Sequence, residues 1–77
     1  MLFLIEYDRS QGKLISFQSF ADAQKDLAED LRLQLELELN RDRVEREVVL
    51  LQAGSESELR RTHRRYFEDL LELVKAS

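Results

Sequence analysis

Four arginines fall within six residues, Arg60-Arg61-Thr62-His63-Arg64-Arg65. A guanidinium offers a planar fork of donors that matches carboxylate or phosphate bidentately. On a helix, Arg60/Arg64 and Arg61/Arg65 are like-charge pairs at i,i+4, each costing a few tenths of a kcal/mol, and cations near a helix start oppose the macrodipole. Arg64–Glu68 and Arg65–Asp69 pairs, with Glu56 and Glu58 upstream, offset part of that cost. Such a run suits three roles. It can be a solvated face, or one docked on the acidic segment 19–40 of this chain or of a second copy. It can meet the acidic surface of a partner protein. It can also contact nucleic-acid phosphates, less in keeping with a net charge of −4. Arg60, Arg61, Arg64 and Arg65 are the partner-binding candidates.

Other chemistry is sparse. His63, the one histidine, sits in an apolar stripe with no carboxylate one turn away to orient it. A catalytic base needs an orienting group and a nucleophile in reach, so a packed, hydrogen-bonded histidine is the expectation. Asp22, Asp26, Glu29 and Asp30 crowd one stretch but lack the spacing and glycine turn of a calcium loop. They read as a solvated acidic face. Cysteine is absent, which removes disulfides, thiolate metal sites and cysteine nucleophiles. The two glycines, Gly12 and Gly54, are too far apart to form a phosphate loop. No catalytic, cofactor or metal residue is expected, and the chain is expected not to be an enzyme.

These residues must be positioned by few elements. Leu2 to Asp8 alternates as a strand, with Phe3, Ile5 and Tyr7 on one side. Arg9-Ser10-Gln11-Gly12 has turn chemistry, and Lys13 to Gln18 returns as a second strand. Ser19 and Asp22 have cap spacing. From Ala21 to Leu39, Leu31, Leu33, Leu35, Leu37 and Leu39 alternate with polar residues, a strand period, yet all are strong helix formers. A helix is the expectation, with Phe20, Gln24, Leu27, Leu31 and Leu35 inward, flanked by Ala28 and Leu39, and Asn40 in the left-handed stop position. Val48-Val49-Leu50-Leu51 suits a strand covered on both faces. Ser55 and Glu58 match a capping box. The last helix should run to about Lys75, with Leu59, His63, Tyr66, Phe67, Leu70 and Val74 inward.

The order β-β-α-β-α gives an α+β domain spanning 1–77: a three-stranded antiparallel sheet of order 2-1-3 with two helices on one face. Leu27, Leu31, Leu50, Phe67 and Leu70 are expected in its core. The chain is too apolar for disorder, at 43% apolar residues, and too charged for a membrane span. Met1 to Ile5 lacks the basic start and length of a signal segment. A cytoplasmic location without membrane contact is expected. So small a domain needs extra stabilisation, and without cysteine or a histidine cluster a partner subunit is the remaining source. Leu33 and Leu37 fall opposite the inward stripe, while Leu4 and Leu14 should lie on the uncovered sheet face. Self-association as a homodimer follows, with Leu33 and Leu37 taking part. The function expected is a small interaction module that binds or regulates another protein, with nucleic-acid binding through the arginine face as the alternative.

Overall fold

A computed structural model describes residues 1–68. The chain forms β1 (Leu2–Asp8), β2 (Lys13–Phe20), a 3₁₀ turn at Asp22–Gln24, α1 (Lys25–Arg41), β3 (Glu47–Gln52), α2 (Glu56–Thr62) and a second 3₁₀ turn at Arg64–Tyr66. The strands make one antiparallel sheet of order β2-β1-β3, the α+β topology expected from the sequence.

The β1–β2 turn is organised by Asp8. Its Oδ1 accepts hydrogen bonds from the Ser10 N–H at 2.9 Å, the Ser10 hydroxyl at 2.7 Å and the Gln11 N–H at 3.2 Å. Gly12 then takes a φ of 62°, which its missing Cβ permits. Glu6 faces Ser16 while Tyr7 faces Leu14, so Ile15 has no partner across the pair. This is a β-bulge, and it returns Leu14 to the same face as Phe17.

The helices pack on opposite faces of the sheet, not on one. Phe3, Ile5 and Tyr7 contact Leu59 and Tyr66 on the α2 side. Leu2, Leu4 and Phe20 contact Ala28 and Leu31 on the α1 side. The cause lies in β1, whose seven side chains are all buried. Leu2 and Leu4 are as apolar as their neighbours, and one helical layer would have left them in water. Leu4 is therefore covered by α1, and Leu14 packs against the α2-side core. β3 is shared: Val48 and Leu50 face α1, Val49 and Leu51 the other layer.

The leucine alternation is helical, as propensity demands. Its ends differ from expectation. β2 runs on through Phe20, so Ser19 is a strand residue, and the Ala21 N–H is satisfied by Gln24 Oε1 at 3.1 Å. At the other end Arg43, not Asn40, takes the left-handed conformation, with φ 56°. The Val44 N–H reaches Leu39 O at 2.9 Å and the Arg43 N–H reaches Asn40 O at 3.2 Å, a Schellman ending. Ala28 is the one buried residue of α1, and Leu31, Leu35 and Leu39 are half-buried beside it. A small residue at the centre lets the backbone approach the sheet. It also turns Leu27, expected inward, to 48% exposure. Leu50 and Phe67 are half-buried, while Leu70 and Val74 lie outside the described residues.

α2 begins as its cap predicts. Ser55 Oγ accepts from the Glu58 N–H at 3.1 Å, and Glu58 Oε2 accepts from the Gly54 N–H at 3.1 Å. It ends early, at Thr62, where His63 leaves helical geometry with φ −124° and ψ 52°. A continuous helix would stack Arg61 on Arg65; the break sends Arg65 and Tyr66 elsewhere.

Candidate functional site

The arginine run spans α2, the His63 break and the turn after it, so its members do not share one helical face. Arg60 reaches back one turn and donates to Glu56 Oε1 from Nε at 3.1 Å and Nη2 at 2.8 Å. Its guanidinium carbon stands 4.5 Å from the Phe67 ring centre, a cation–π contact. Arg64 pairs with Glu68 at 3.1 Å, as the spacing predicts. Arg61 is exposed and makes no ion pair among the described residues.

Arg65 turns to the start of β3. Its Nη2 donates to Glu47 Oε1 at 2.8 Å and to the Tyr66 hydroxyl at 2.6 Å. Arg9, from the β1–β2 turn, donates to the same Glu47 oxygen at 3.1 Å. Tyr66 is buried, edge-on to Tyr7 with ring centres 5.3 Å apart. The second turn is thus anchored by an aromatic pair beneath and a carboxylate bridging two arginines above. Burial raises the Glu47 carboxyl, but the hydrogen bonds from Arg65 and Arg9 outweigh it and hold the group below its ordinary value. The hydrogen bond to Glu47 raises Arg65 further. Burial, then the Glu47 charge, pushes the Tyr66 phenol up.

His63 is half-buried, with Nδ1 2.9 Å from the Thr62 hydroxyl and its ring stacked 6.4 Å from that of Tyr66. Among the described residues, no three side chains of the kinds that ligate metals converge. Among the described residues, none of these arginines pairs with the acidic α1, which lies across the sheet, and their partners there are Glu47, Glu56 and Glu68. The face is a mosaic of pairs: Arg60 with Glu56, Arg64 with Glu68, and Arg9 and Arg65 with the largely buried Glu47.

Sequence reasoning did not find Glu47 or Arg9, because each is an ordinary charged residue at a strand end. It also did not find the ion pair on the other face. There Arg46 Nη1 donates to Glu6 Oε2, and Ser16 Oγ donates to Glu6 Oε1 at 3.2 Å. Glu6 is buried, on the sheet face that α1 packs against. Leu33 and Leu37 do stand in water on the outer side of α1, at 53% and 58% exposure. Among the described residues, no helix is long and apolar enough to cross a membrane.

Comparison with protein-family models, with curated proteins and with solved structures gave no match to this chain.

Proposed function

We propose that this chain is a small, non-enzymatic interaction module of the cytoplasm that self-associates as a homodimer and binds another protein. The observation that carries this reading is the mosaic around α2. A surface of alternating arginine and glutamate, exposed except at Glu47 and with aromatic rings under two of the arginines, suits a protein surface of complementary charge pattern. Arg61, Arg64 and the free side of Arg60 would meet the partner's carboxylates; Arg65 holds the frame through Glu47. The exposed Leu33 and Leu37 add apolar surface on α1.

The alternative is nucleic-acid binding by the same arginines. It is disfavoured because the chain carries a net charge of −4 and the glutamates beside the arginines, Glu56 and Glu68, would repel a continuous phosphate backbone. Two measurements test the reading. Size-exclusion chromatography with light scattering should give twice the 9.1 kDa of one chain; a monomer at all accessible concentrations refutes the homodimer. Titration of labelled single- and double-stranded oligonucleotides should show no binding at physiological salt. Binding that weakens steeply with salt, and is lost in Arg61→Ala/Arg64→Ala, would transfer the assignment to nucleic acid.

A further inference from the structure

The self-association just proposed needs a surface, and the two outer strands of the sheet are not equivalent. β3 is covered on both faces. β2 is not, because α1 lies across β1 and β3 and only Phe20, at the end of β2, joins its core. A groove of about 370 Å³ remains over β2, with Leu4, Glu6, Ser16 and Gln18 in its floor and Leu31, Leu35 and Glu38 in its wall. No strand pairs with the outer edge of β2 among the described residues.

That edge lacks the usual protection. Exposed edge strands ordinarily carry lysine, proline or other charge that discourages pairing with another chain. Charged residues make up 36% of this chain, yet there is none from Leu14 through Ala21. The bulge at Ile15 disturbs only the first part of the strand. Opposite charges bracket the neutral stretch, Lys13 before it and Asp22 after it.

We propose that β2 pairs antiparallel with β2 of a second copy about a two-fold axis near Phe17, doubling the sheet. In that arrangement Ser16 faces Gln18 of the second copy and Ile15 faces its Ser19. Neutral residues meet throughout, so no like charges oppose, and each Lys13 faces the other copy's Ala21, next to Asp22, which also holds the Met1 ammonium at 2.8 Å. The axis runs perpendicular to the sheet, so both α1 helices stand on one side and the two grooves join into a single trough. Leu27, 48% exposed, stands one helical turn before Leu31 of the groove wall, where the joined trough would extend over it. The outer face of α1 fits a second copy less well. Leu33 and Leu37 share it with Asp26 and Asp30, carboxylates that a contact there would have to strip of water.

The test compares three proteins by size-exclusion light scattering, with circular dichroism as the check on folding. The unaltered chain should be a dimer, Ser16→Lys/Gln18→Lys a folded monomer, and Leu33→Glu/Leu37→Lys still a dimer. A dimer that survives the β2 lysines but falls apart in the α1 variant refutes the β2 pairing and leaves self-association standing. A monomeric unaltered chain refutes both. If the lysine variant does not fold, cross-linking decides. The chain has no cysteine, so Gln18→Cys should give a covalent dimer with a short bis-maleimide and Leu33→Cys should not. Failure of Gln18→Cys to cross-link overturns the pairing.

Discussion

Arg46→Met should destabilise the protein far more than a surface arginine would. Glu6 lies on the central strand beneath α1, its side chain 8% exposed, and Arg46 is its ionic partner at 28% exposure. Removing one member of a buried pair leaves the other charge without compensation and typically costs about 3–5 kcal/mol. Two features lower that figure here. Arg46 is partly hydrated, and the Ser16 hydroxyl still donates to Glu6 after the change. The expected cost is about 2–3 kcal/mol. For a domain of this size that is a fall in melting temperature on the order of 10–20 °C. The pair itself is imperfect, since Arg46 Nε is buried with no partner. An apolar replacement of both members, Glu6→Leu/Arg46→Met, should therefore recover most of the loss. Urea unfolding of the four proteins gives a double-mutant cycle. An Arg46→Met cost below about 0.5 kcal/mol, the range of ordinary surface changes, would refute the reasoning. So would a double variant as unstable as the two singles added.

Three further outcomes are expected. Arg43→Gly should stabilise by about 0.5–1 kcal/mol, because the left-handed residue that ends α1 no longer carries a Cβ; a lower urea midpoint would contradict the Schellman ending. Arg65→Ala should cost about 1 kcal/mol, a partly exposed pair that also holds the Tyr66 hydroxyl, whereas Arg61→Ala should be silent; equal effects in a thermal melt would mean the two arginines have the same environment. Asp8 is held below its ordinary value first by the Ser10 hydroxyl, and Glu47 is also lowered. A lowered carboxyl contributes stability that is present above its unfolded value and lost as pH falls through the folded one. Urea midpoints should therefore drop below about pH 4, and Asp8→Asn/Glu47→Gln should flatten that drop.

Strand order, the Gly12 turn, the cap at Ser55 and the helical state of the leucine alternation were all legible in local patterns. The sidedness of the helices was not. Leu2, Leu4 and the run Val48 to Leu51 signalled a sheet apolar on both faces, but counting Phe3, Ile5 and Tyr7 alone suggested one covered face. The inward side of α1 was misplaced by one residue because Leu27 outweighs Ala28 on any hydrophobicity count, while packing against a sheet favours the smaller side chain. The break at His63 has no local marker, neither glycine nor proline. It is set by what Arg65 and Tyr66 gain from Glu47 and Tyr7, residues distant in sequence. Of the site, the arginines could be named from their spacing. Glu47, Arg9 and the Glu6–Arg46 pair could not, since a contact 40 residues apart leaves no periodic trace.

The placement of one helix on each side makes the sheet a partition. Tyr7, Phe17 and Tyr66 belong to the cluster on the α2 side, and α1 is tied down on the other chiefly through Ala28 and three half-buried leucines. Release of α1 should therefore be a subglobal event that leaves the opposite layer intact. Amide hydrogen exchange would record it as two tiers. The α1 amides would exchange together at an opening free energy well below that of the whole domain, and the β1 amides at Phe3 and Ile5 only on complete unfolding. The Glu6–Arg46 pair would lose its cover in the first tier, so this small chain would pass through a state with an intact sheet, one folded face and one face open to water.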